Sequence, residues 1–222
     1  MIASDKSSSW WPCVALMSAG VAAITAFGVG GCMSDAKTTT KPETKPAAAA
    51  ALASSAAPAG ELTKDLVVTR VFDAEPELVW SAWTNADHVK RWWGPMTFIC
   101  PVAEMDVRVG GVSLLCMRAP KEFGGLDYYN TWTYTKVEPH NRLEFVAHFT
   151  DKDRTRIEPA SIGLPSDLPF EVRQVVTLKP IGKGRTELTV TEFGYTTDQT
   201  AELSKMGLNQ CLDKMALSFA KP

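Results

Sequence analysis

The sequence lacks the short motifs that mark several common enzyme classes. Its 222 residues contain no H-E-x-x-H zinc motif, no C-x-x-C pair and no glycine-rich phosphate loop. It has three histidines, and each lies where we expect a surface side chain: His88 among charged residues, His140 in a turn, and His148 opposite the apolar face of a strand. A serine or cysteine nucleophile needs an oriented histidine beside it. We therefore predict no catalytic residue, no metal site and no cofactor.

An excess of charge of either sign is also missing. The 23 lysines and arginines nearly balance the 25 aspartates and glutamates, which leaves a net charge of -2. No basic stretch is interleaved with aromatic residues, and such a stretch is the usual footprint of a nucleic-acid-binding surface. Nucleic acid is therefore excluded as an expected partner.

The first 31 residues have the composition of an export signal. Residues 13–31 form an apolar run rich in alanine and glycine, preceded by a short polar segment. Residues 29–32, Val-Gly-Gly-Cys, resemble the lipobox of bacterial lipoproteins, which implies cleavage before Cys32 and lipidation of that cysteine. The alternative is an uncleaved membrane anchor, because the run is close to the length of a spanning helix. Both interpretations place the globular part in the cell envelope, facing the periplasm or the exterior.

Residues 32–60 are rich in Ala, Thr, Pro and Lys and contain no aromatic residue. Such a segment cannot bury enough apolar surface to offset its chain entropy, so we predict a disordered tether. Residues 61–222 have the length of a single domain. This domain has three cysteines. A disulfide between Cys100 and Cys116 is one alternative, since these two residues lie on neighbouring predicted strands. We favour three buried free thiols, including Cys211, because disulfide geometry is demanding.

The domain alternates between short helical and extended patterns and closes with a long amphipathic helix. The pattern predicts one strand, two short helices, three pairs of strands and a final helix. The predicted strands span residues 62–72, 97–106, 112–118, 128–137, 142–150, 170–179 and 185–193, with helices near 74–84, 85–93 and 198–220. A single antiparallel sheet needs its apolar face covered. Only the last helix is long enough to cover it.

The ordered set of motifs resembles a known family. Residues 70–72 (Arg-Val-Phe), 91–95 (Arg-Trp-Trp-Gly-Pro), 106–111 and 206–215 resemble SRPBCC (START/Bet v-like) domains of the activator of Hsp90 ATPase branch. The resemblance spans nearly all of residues 62–221. It implies an α+β helix-grip fold, in which a curved antiparallel sheet wraps around the long C-terminal helix and leaves a deep hydrophobic cavity. One departure is Leu208, where the family commonly has tryptophan, and it bears on the shape of the cavity mouth.

Aromatic side chains supply most of the candidate binding residues. On the strand 128–137, Asn130, Trp132 and Tyr134 share one face by the period of two, and polar tips among aromatic walls suit an amphipathic ligand. The full set of expected cavity residues is Trp93, Asn130, Trp132, Tyr134, Phe145, Leu208 and Leu212. The proline-containing segment 151–169 is long for a hairpin connection, so we consider it a candidate gate.

Three functions remain open on the sequence. The preferred one is an exported, membrane-tethered domain that binds a small hydrophobic or amphipathic molecule without catalysis. The second is a cyclase- or hydrolase-like enzyme that uses His148 or a cavity carboxylate, for which the strand residues Glu104, Asp106, Asp127 and Glu144 are candidates. The third is a protein-interaction module, by analogy with the chaperone activator. The oligomeric state is left open.

Overall fold

The computed structural model describes residues 63–219. The predicted signal peptide (1–31), the predicted lipidation site Cys32 and the predicted tether (32–60) lie outside these residues. Within the described part of the chain, no helix is both long enough and apolar enough to cross a membrane.

Seven strands and three α-helices make up the regular structure of residues 63–219. In chain order they are β1 (Lys64–Phe72), α1 (Pro76–Thr84), α2 (Ala86–Trp92), β2 (Ile99–Glu104), β3 (Val112–Arg118), β4 (Asp127–Glu138), β5 (Arg142–Thr150), β6 (Val172–Pro180), β7 (Thr186–Tyr195) and α3 (Asp198–Phe219). Single 3-10 turns at Lys121–Phe123 and Pro159–Ile162 interrupt two of the connections. The element order confirms the prediction from the sequence.

The strands form one antiparallel sheet in the order β1-β7-β6-β5-β4-β3-β2. The sheet is curved, and α3 packs against its inner face, so the α+β helix-grip fold expected from the motifs is confirmed. Leu208, Cys211, Leu212 and Met215 from α3 share one apolar cluster with inward-facing side chains of β1 and of β4 to β7. These four recur at helical spacing, which gives α3 a single buried stripe.

The two short helices are fixed by local sequence signals. Pro76 occupies the first turn of α1, where a missing N–H does no harm. The Asn85 side chain then caps α2, because its Oδ1 accepts the backbone N–H groups of Asp87 at 2.9 Å and His88 at 3.3 Å. This cap lets the chain turn between the helices, so that α2 ends with its two tryptophans, Trp92 and Trp93, directed toward the core.

The paired tryptophans at the end of α2 have different environments. Trp92 is fully buried, and its Nε1 donates to the carbonyl of Ala82 in α1 at 2.7 Å, which joins the two short helices. Trp93 is half-buried, and its ring meets the ring of Trp132 edge to face at 4.8 Å. Trp92 is therefore a packing residue, whereas Trp93 faces the inside of the grip.

The loop between α2 and β2 is held against α3. The Lys214 ammonium donates to the carbonyls of Gly94 at 3.0 Å, Pro95 at 3.4 Å and Phe98 at 2.8 Å. The Met96 N–H donates to Gln210 Oε1 at 3.0 Å. Satisfying buried carbonyls in this way fixes Trp93 and Pro95 against the terminal helix.

Candidate functional site

A cavity of about 200 Å³ lies between α3 and the inner face of β4 to β7. Its wall is mainly apolar and includes Trp93, Trp132, Phe149, Val172 and Leu208. Its position under the long helix is the one that the helix-grip resemblance implies.

Four of the seven expected cavity residues line this cavity. Trp93, Asn130, Trp132 and Leu208 are part of its wall. Trp93 enters from the loop after α2, Asn130 and Trp132 from alternate positions of β4, and Leu208 from α3. The period-two pattern of β4 therefore identified the inward-facing residues of that strand correctly.

The structure places Tyr134, Phe145 and Leu212 in the core and not in the cavity wall. Tyr134 and Phe145 face each other across β4 and β5, and the Tyr134 hydroxyl lies 2.9 Å from Ser113 Oγ. Leu212 is 1% exposed in the same cluster. The reason is the size of the residues on β5. Phe145 stacks on Trp132 at 4.5 Å and fills the space beside Tyr134, whereas the smaller Ala147 leaves the space beside Trp132 open. The cavity begins on the Ala147 side.

Polar atoms without partners occur on the residues of this wall. The Nε1 atoms of Trp93 and Trp132 and the Oδ1 atom of Asn130 are buried and have no hydrogen-bond partner in the described part of the chain. Asn130 is 5% exposed and Trp132 is fully buried. A buried donor or acceptor without a partner is costly, and such atoms are few in native proteins, so each calls for a partner such as water, an ion or a ligand.

The sequence analysis missed a buried carboxyl group in the cavity wall. Glu192 on β7 is 6% exposed, and the hydroxyl of Tyr195 donates to its Oε2 at 2.5 Å. Burial raises the pKa of Glu192 to about 7, although the bond from Tyr195 acts in the opposite direction. A carboxyl group that changes its charge near neutral pH is a typical feature of binding and catalytic sites.

A bulge in β7 brings Glu192 and Tyr195 to the same face of the sheet. Residues three apart on a regular strand point to opposite faces. Against β1, Leu66 pairs with Glu192, whereas Lys64 pairs with Tyr195, so one extra residue is inserted. Gly194 has a φ of 104° at this point, a conformation that side chains disfavour. The bulge is therefore what allows the Tyr195 hydroxyl to reach the carboxylate.

Further polar side chains surround this carboxyl group. Gln174 lies directly across from Glu192 on β6, is 6% exposed and also lines the cavity. Ser204 on α3 lines the cavity too. We refer to Glu192, Tyr195, Gln174 and Ser204 as the acidic pole of the cavity.

The expectation that His148 is a surface residue is wrong. Its side chain is 2% exposed, and its Nε2 lies 3.1 Å from Glu171 Oε2. Strand alternation predicts that it faces away from Ala147 and Phe149, yet all three residues line the cavity, and Phe170 packs over His148 with ring centroids 5.8 Å apart. Burial first, and the charge of Arg156 second, lower its pKa. The incoming segment before β6 covers this face, which strand alternation alone does not reveal.

The cysteines of the described residues, Cys100, Cys116 and Cys211, are buried free thiols. Burial raises the pKa of Cys100 to about 11 and those of Cys116 and Cys211 to about 12, so all three are protonated at neutral pH. Within residues 63–219, no three or more His, Cys, Asp or Glu side chains are grouped so that they can hold a metal ion.

The four carboxylates named from the sequence lie away from the cavity wall. Asp127 forms a paired contact with Arg118, with Oδ1 2.6 Å from Nε and Oδ2 2.8 Å from Nη2. This contact lowers its pKa. Glu144 pairs with Arg142, and Glu104 pairs with Arg154. The remaining one, Asp106, accepts from Arg108 in the turn before β3.

The candidate gate ends at the cavity. Leu168 and Pro169, at the end of the segment 151–169, line the cavity wall. The Thr197 hydroxyl donates to Asp167 Oδ2 at 2.7 Å, which ties the segment to the beginning of α3. This position is compatible with a gate, and the gating role stays a prediction.

Comparison with known proteins agrees with the architecture. The family model described as "Activator of Hsp90 ATPase homolog 1-like protein" matches residues 73–220. No curated protein matches the chain significantly.

Solved structures share the fold at low sequence identity. Protein CV1439 from Chromobacterium violaceum is 24% identical, with a TM-score of 0.57 over 71% of this chain and 98% of its own. Protein Ms6760 from Mycobacterium smegmatis is 21% identical, with a TM-score of 0.56 over 71% and 91%. A protein from Arthrobacter aurescens is 22% identical, with a TM-score of 0.58 over 71% and 87%. These likenesses establish the fold alone.

Proposed function

We propose that this chain, which belongs to the activator of Hsp90 ATPase homolog 1-like family, binds a small, mainly apolar molecule in the cavity under α3. The observation that carries the proposal is the set of buried, unpartnered polar atoms on its aromatic wall, the Nε1 atoms of Trp93 and Trp132 and Oδ1 of Asn130. A ligand with its own donors and acceptors satisfies these atoms, and its apolar body replaces water against the indoles.

The cavity volume limits the size of the ligand. An apolar protein cavity of about 150 Å³ holds one benzene molecule. The cavity here, at about 200 Å³, therefore suits a molecule with one or two rings or a short branched chain. Long acyl chains and steroids do not fit without movement of the walls.

We further propose that the domain works outside the cytoplasm, tethered to a membrane. The support is the apolar run at residues 13–31 followed by the lipobox-like sequence that ends at Cys32. Metabolic labelling with a fatty-acid analogue in a bacterial host tests this proposal. We expect label on the wild-type protein and none on Cys32→Ser; label retained by that variant contradicts the lipid anchor.

Binding is tested with a substitution that fills the cavity. Leu208 lines the cavity, and Leu208→Trp adds bulk at this position of α3. Leu217 lies on the same helix, is 68% exposed and does not line the cavity, so Leu217→Trp is the matched control. We expect Leu208→Trp to weaken binding of a small aromatic probe at least tenfold and Leu217→Trp to leave it unchanged.

Native mass spectrometry of the protein purified from its own host complements this experiment, because it detects a retained molecule directly. Equal probe affinity for Leu208→Trp and the wild type, together with no retained molecule in several preparations, contradicts the binding proposal. Tryptophan fluorescence is a suitable readout, since two of the wall residues are Trp93 and Trp132.

The acidic pole supports acid–base catalysis as a second candidate function. Glu192 has a pKa of about 7 and lines the cavity, and these are properties that a general acid or base requires. Once the retained molecule is identified, its turnover by Glu192→Gln and by the wild type can be compared. Loss of turnover at unchanged affinity supports an enzyme, and equal turnover excludes this group as the base. The protein-interaction module stays a prediction from the resemblance.

A further inference from the structure

The charges around the cavity distinguish between classes of ligand. Glu192 is buried in the wall, and no lysine or arginine belongs to the wall among the described residues. The half-buried cation on α3, Lys214, donates to three carbonyls of the loop at residues 94–98. A ligand carboxylate or phosphate thus finds no lysine or arginine in the described cavity wall and meets a group that becomes negative itself. The wall histidine, His148, has its pKa lowered by burial, which disfavours its cationic form.

The acidic pole has hydrogen-bond acceptor atoms that no residue uses fully, and a ligand can donate to them. A carboxylate has about four acceptor sites, and the Tyr195 hydroxyl uses one of those on Glu192. Gln174, across the strand pair, has no side-chain hydrogen bond among the described residues and brings an amide oxygen. The geometry of the pole therefore favours a ligand group that donates several hydrogen bonds.

The aromatic side of the cavity lies at a distance from this pole. Glu192 is on β7 and Trp132 on β4, with β6 and β5 between them. Three inter-strand spacings of about 4.8 Å separate the two backbones by about 14 Å, and the side chains reach inward from both ends. A ring connected to a polar group by a short alkyl chain spans the remaining gap.

We propose that the ligand is a small amine, whose ammonium group pairs with the carboxylate of Glu192 while a one- or two-ring apolar body packs against Trp93 and Trp132. This inference rests on the proposed binding function and specifies its ligand class. The ammonium enters with its own proton, and the carboxyl proton of Glu192 leaves to solvent. A buried carboxylate without a partner is unfavourable, and an ammonium donor is the group that compensates it.

The groups that face Glu192 from its own strand, from the neighbouring strands and from α3 do not titrate between pH 6 and pH 8. Tyr195 on β7 and Cys211 on α3 are held protonated there, because burial raises their pKa values. Gln174 on β6 and Leu66 on β1 do not ionise. Another ionisable residue of the cavity wall is His148 on β5; burial lowers its pKa, so it is neutral at pH 8, and Glu192→Gln, which retains it, separates its contribution. Because the pKa of Glu192 is about 7, the affinity for an ammonium ligand rises about tenfold from pH 6 to pH 8.

Three probes with the same ten-carbon skeleton test the inference: 4-phenylbutylamine, 4-phenylbutanol and 4-phenylbutyrate. Their dissociation constants are measured by calorimetry at pH 6 and pH 8 with the full-length protein in lipid nanodiscs, because detergent would compete for an apolar cavity. We expect the amine to bind about tenfold more tightly at pH 8 than at pH 6. The alcohol changes less than twofold between these pH values, and the acid binds most weakly.

The substitution Glu192→Gln removes the charge and keeps the shape. We expect it to abolish the pH dependence and to reduce the amine to the affinity of the alcohol. Glu187→Gln on the outer face of the same strand is the control, and Tyr195→Phe is a second variant that keeps the carboxyl group.

The outcomes separate the two proposals. If the alcohol or the acid binds while the amine has no advantage at pH 8, the amine inference is refuted and the binding function stands. If none of the three probes binds, and the aromatic probe used with Leu208→Trp does not bind either, the binding function itself fails. If Glu192→Gln does not fold, the wild-type pH series still decides the question.

Discussion

The buried carboxyl group of Glu192 makes the stability of the domain depend on pH. Below pH 4.5 this group is neutral in both the folded and the unfolded chain, and its burial has no electrostatic consequence. As the pH rises, the unfolded chain releases its proton first, so the fold loses stability until the pH passes the folded pKa of about 7. Above that value the loss is constant.

The magnitude follows from the two pKa values. One pKa unit corresponds to about 1.4 kcal/mol. A carboxyl group that ionises near pH 7 in the fold and near 4.5 in the unfolded chain therefore weakens the fold by about 3 kcal/mol at pH 8. At 6% exposure, little solvent is present to screen this effect.

Urea unfolding of the wild type and of Glu192→Gln, followed by tryptophan fluorescence, measures the effect. We expect the variant to gain stability relative to the wild type as the pH rises from 5 to 8, by about 2–3 kcal/mol in total. Glu187→Gln, from the outer face of β7, controls for the removal of a carboxylate from this strand. A difference between Glu192→Gln and the wild type that is the same at pH 5 and at pH 8 refutes the reasoning.

Three further substitutions test other parts of the site. Trp92→Phe removes the donor to the Ala82 carbonyl and part of a buried ring, and urea unfolding should show a loss of about 1–3 kcal/mol; an unchanged free energy contradicts the role of that bond. Lys214→Met leaves three loop carbonyls without their donor, so we expect a similar loss by the same measurement, and none if water replaces the ammonium. Asp167→Ala removes the bond from Thr197 and should speed limited proteolysis within 151–169; a bound ligand should slow it, and cleavage insensitive to ligand contradicts a gate.

The strands and helices were largely readable from the sequence because their signals are local. Strands β3 and β5 have the predicted bounds, since alternation and turn residues define both of their ends. Helix α3 begins at the predicted residue and continues to Phe219, the last residue that the structure describes. Strand β2 is shorter than predicted, at Ile99–Glu104, because the residues on either side of it belong to the loop held by Lys214 and to the turn before β3.

The cavity was only partly predictable, because the alternation of side chains along a strand shows which face of the sheet a residue occupies but not whether it reaches the cavity. The period of two puts Asn130, Trp132 and Tyr134 on one face, yet only the first two reach the cavity. The difference arises on the neighbouring strand, where Phe145 fills the space beside Tyr134 and Ala147 leaves the space beside Trp132 open. Which residues lie beside each other depends on the register between neighbouring strands, and the sequence of one strand alone does not show that register.

A signal for Glu192 was present in the sequence. Glu192 follows Thr186, Leu188 and Val190 at every second position of the strand. Because these three residues are all buried, Glu192 occupies a position of the inward-facing side. A charged residue in register with apolar ones marks either the end of a strand or a functional group. The glycine at 194, which turns Tyr195 inward, had no such signal, because a bulge is visible only in the pairing with β1.

The acidic pole is hard to explain as a purely structural feature. In the described part of the chain, the only hydrogen bond to the carboxyl group of Glu192 comes from Tyr195, and it does not offset the burial that raises its pKa. A glutamine at this position would keep the bond without the loss of about 3 kcal/mol at pH 8. Strained or costly groups of this kind occur mainly at functional sites.

If an ammonium ligand relieves this cost, its binding must stabilise the fold more at pH 8 than at pH 6, because ligand binding and folding share the same ionisation. A thermal shift series with 4-phenylbutylamine at the two pH values measures this coupling directly, and 4-phenylbutanol supplies the uncharged control. Equal shifts at both pH values would mean that the carboxyl group is not what the ligand contacts.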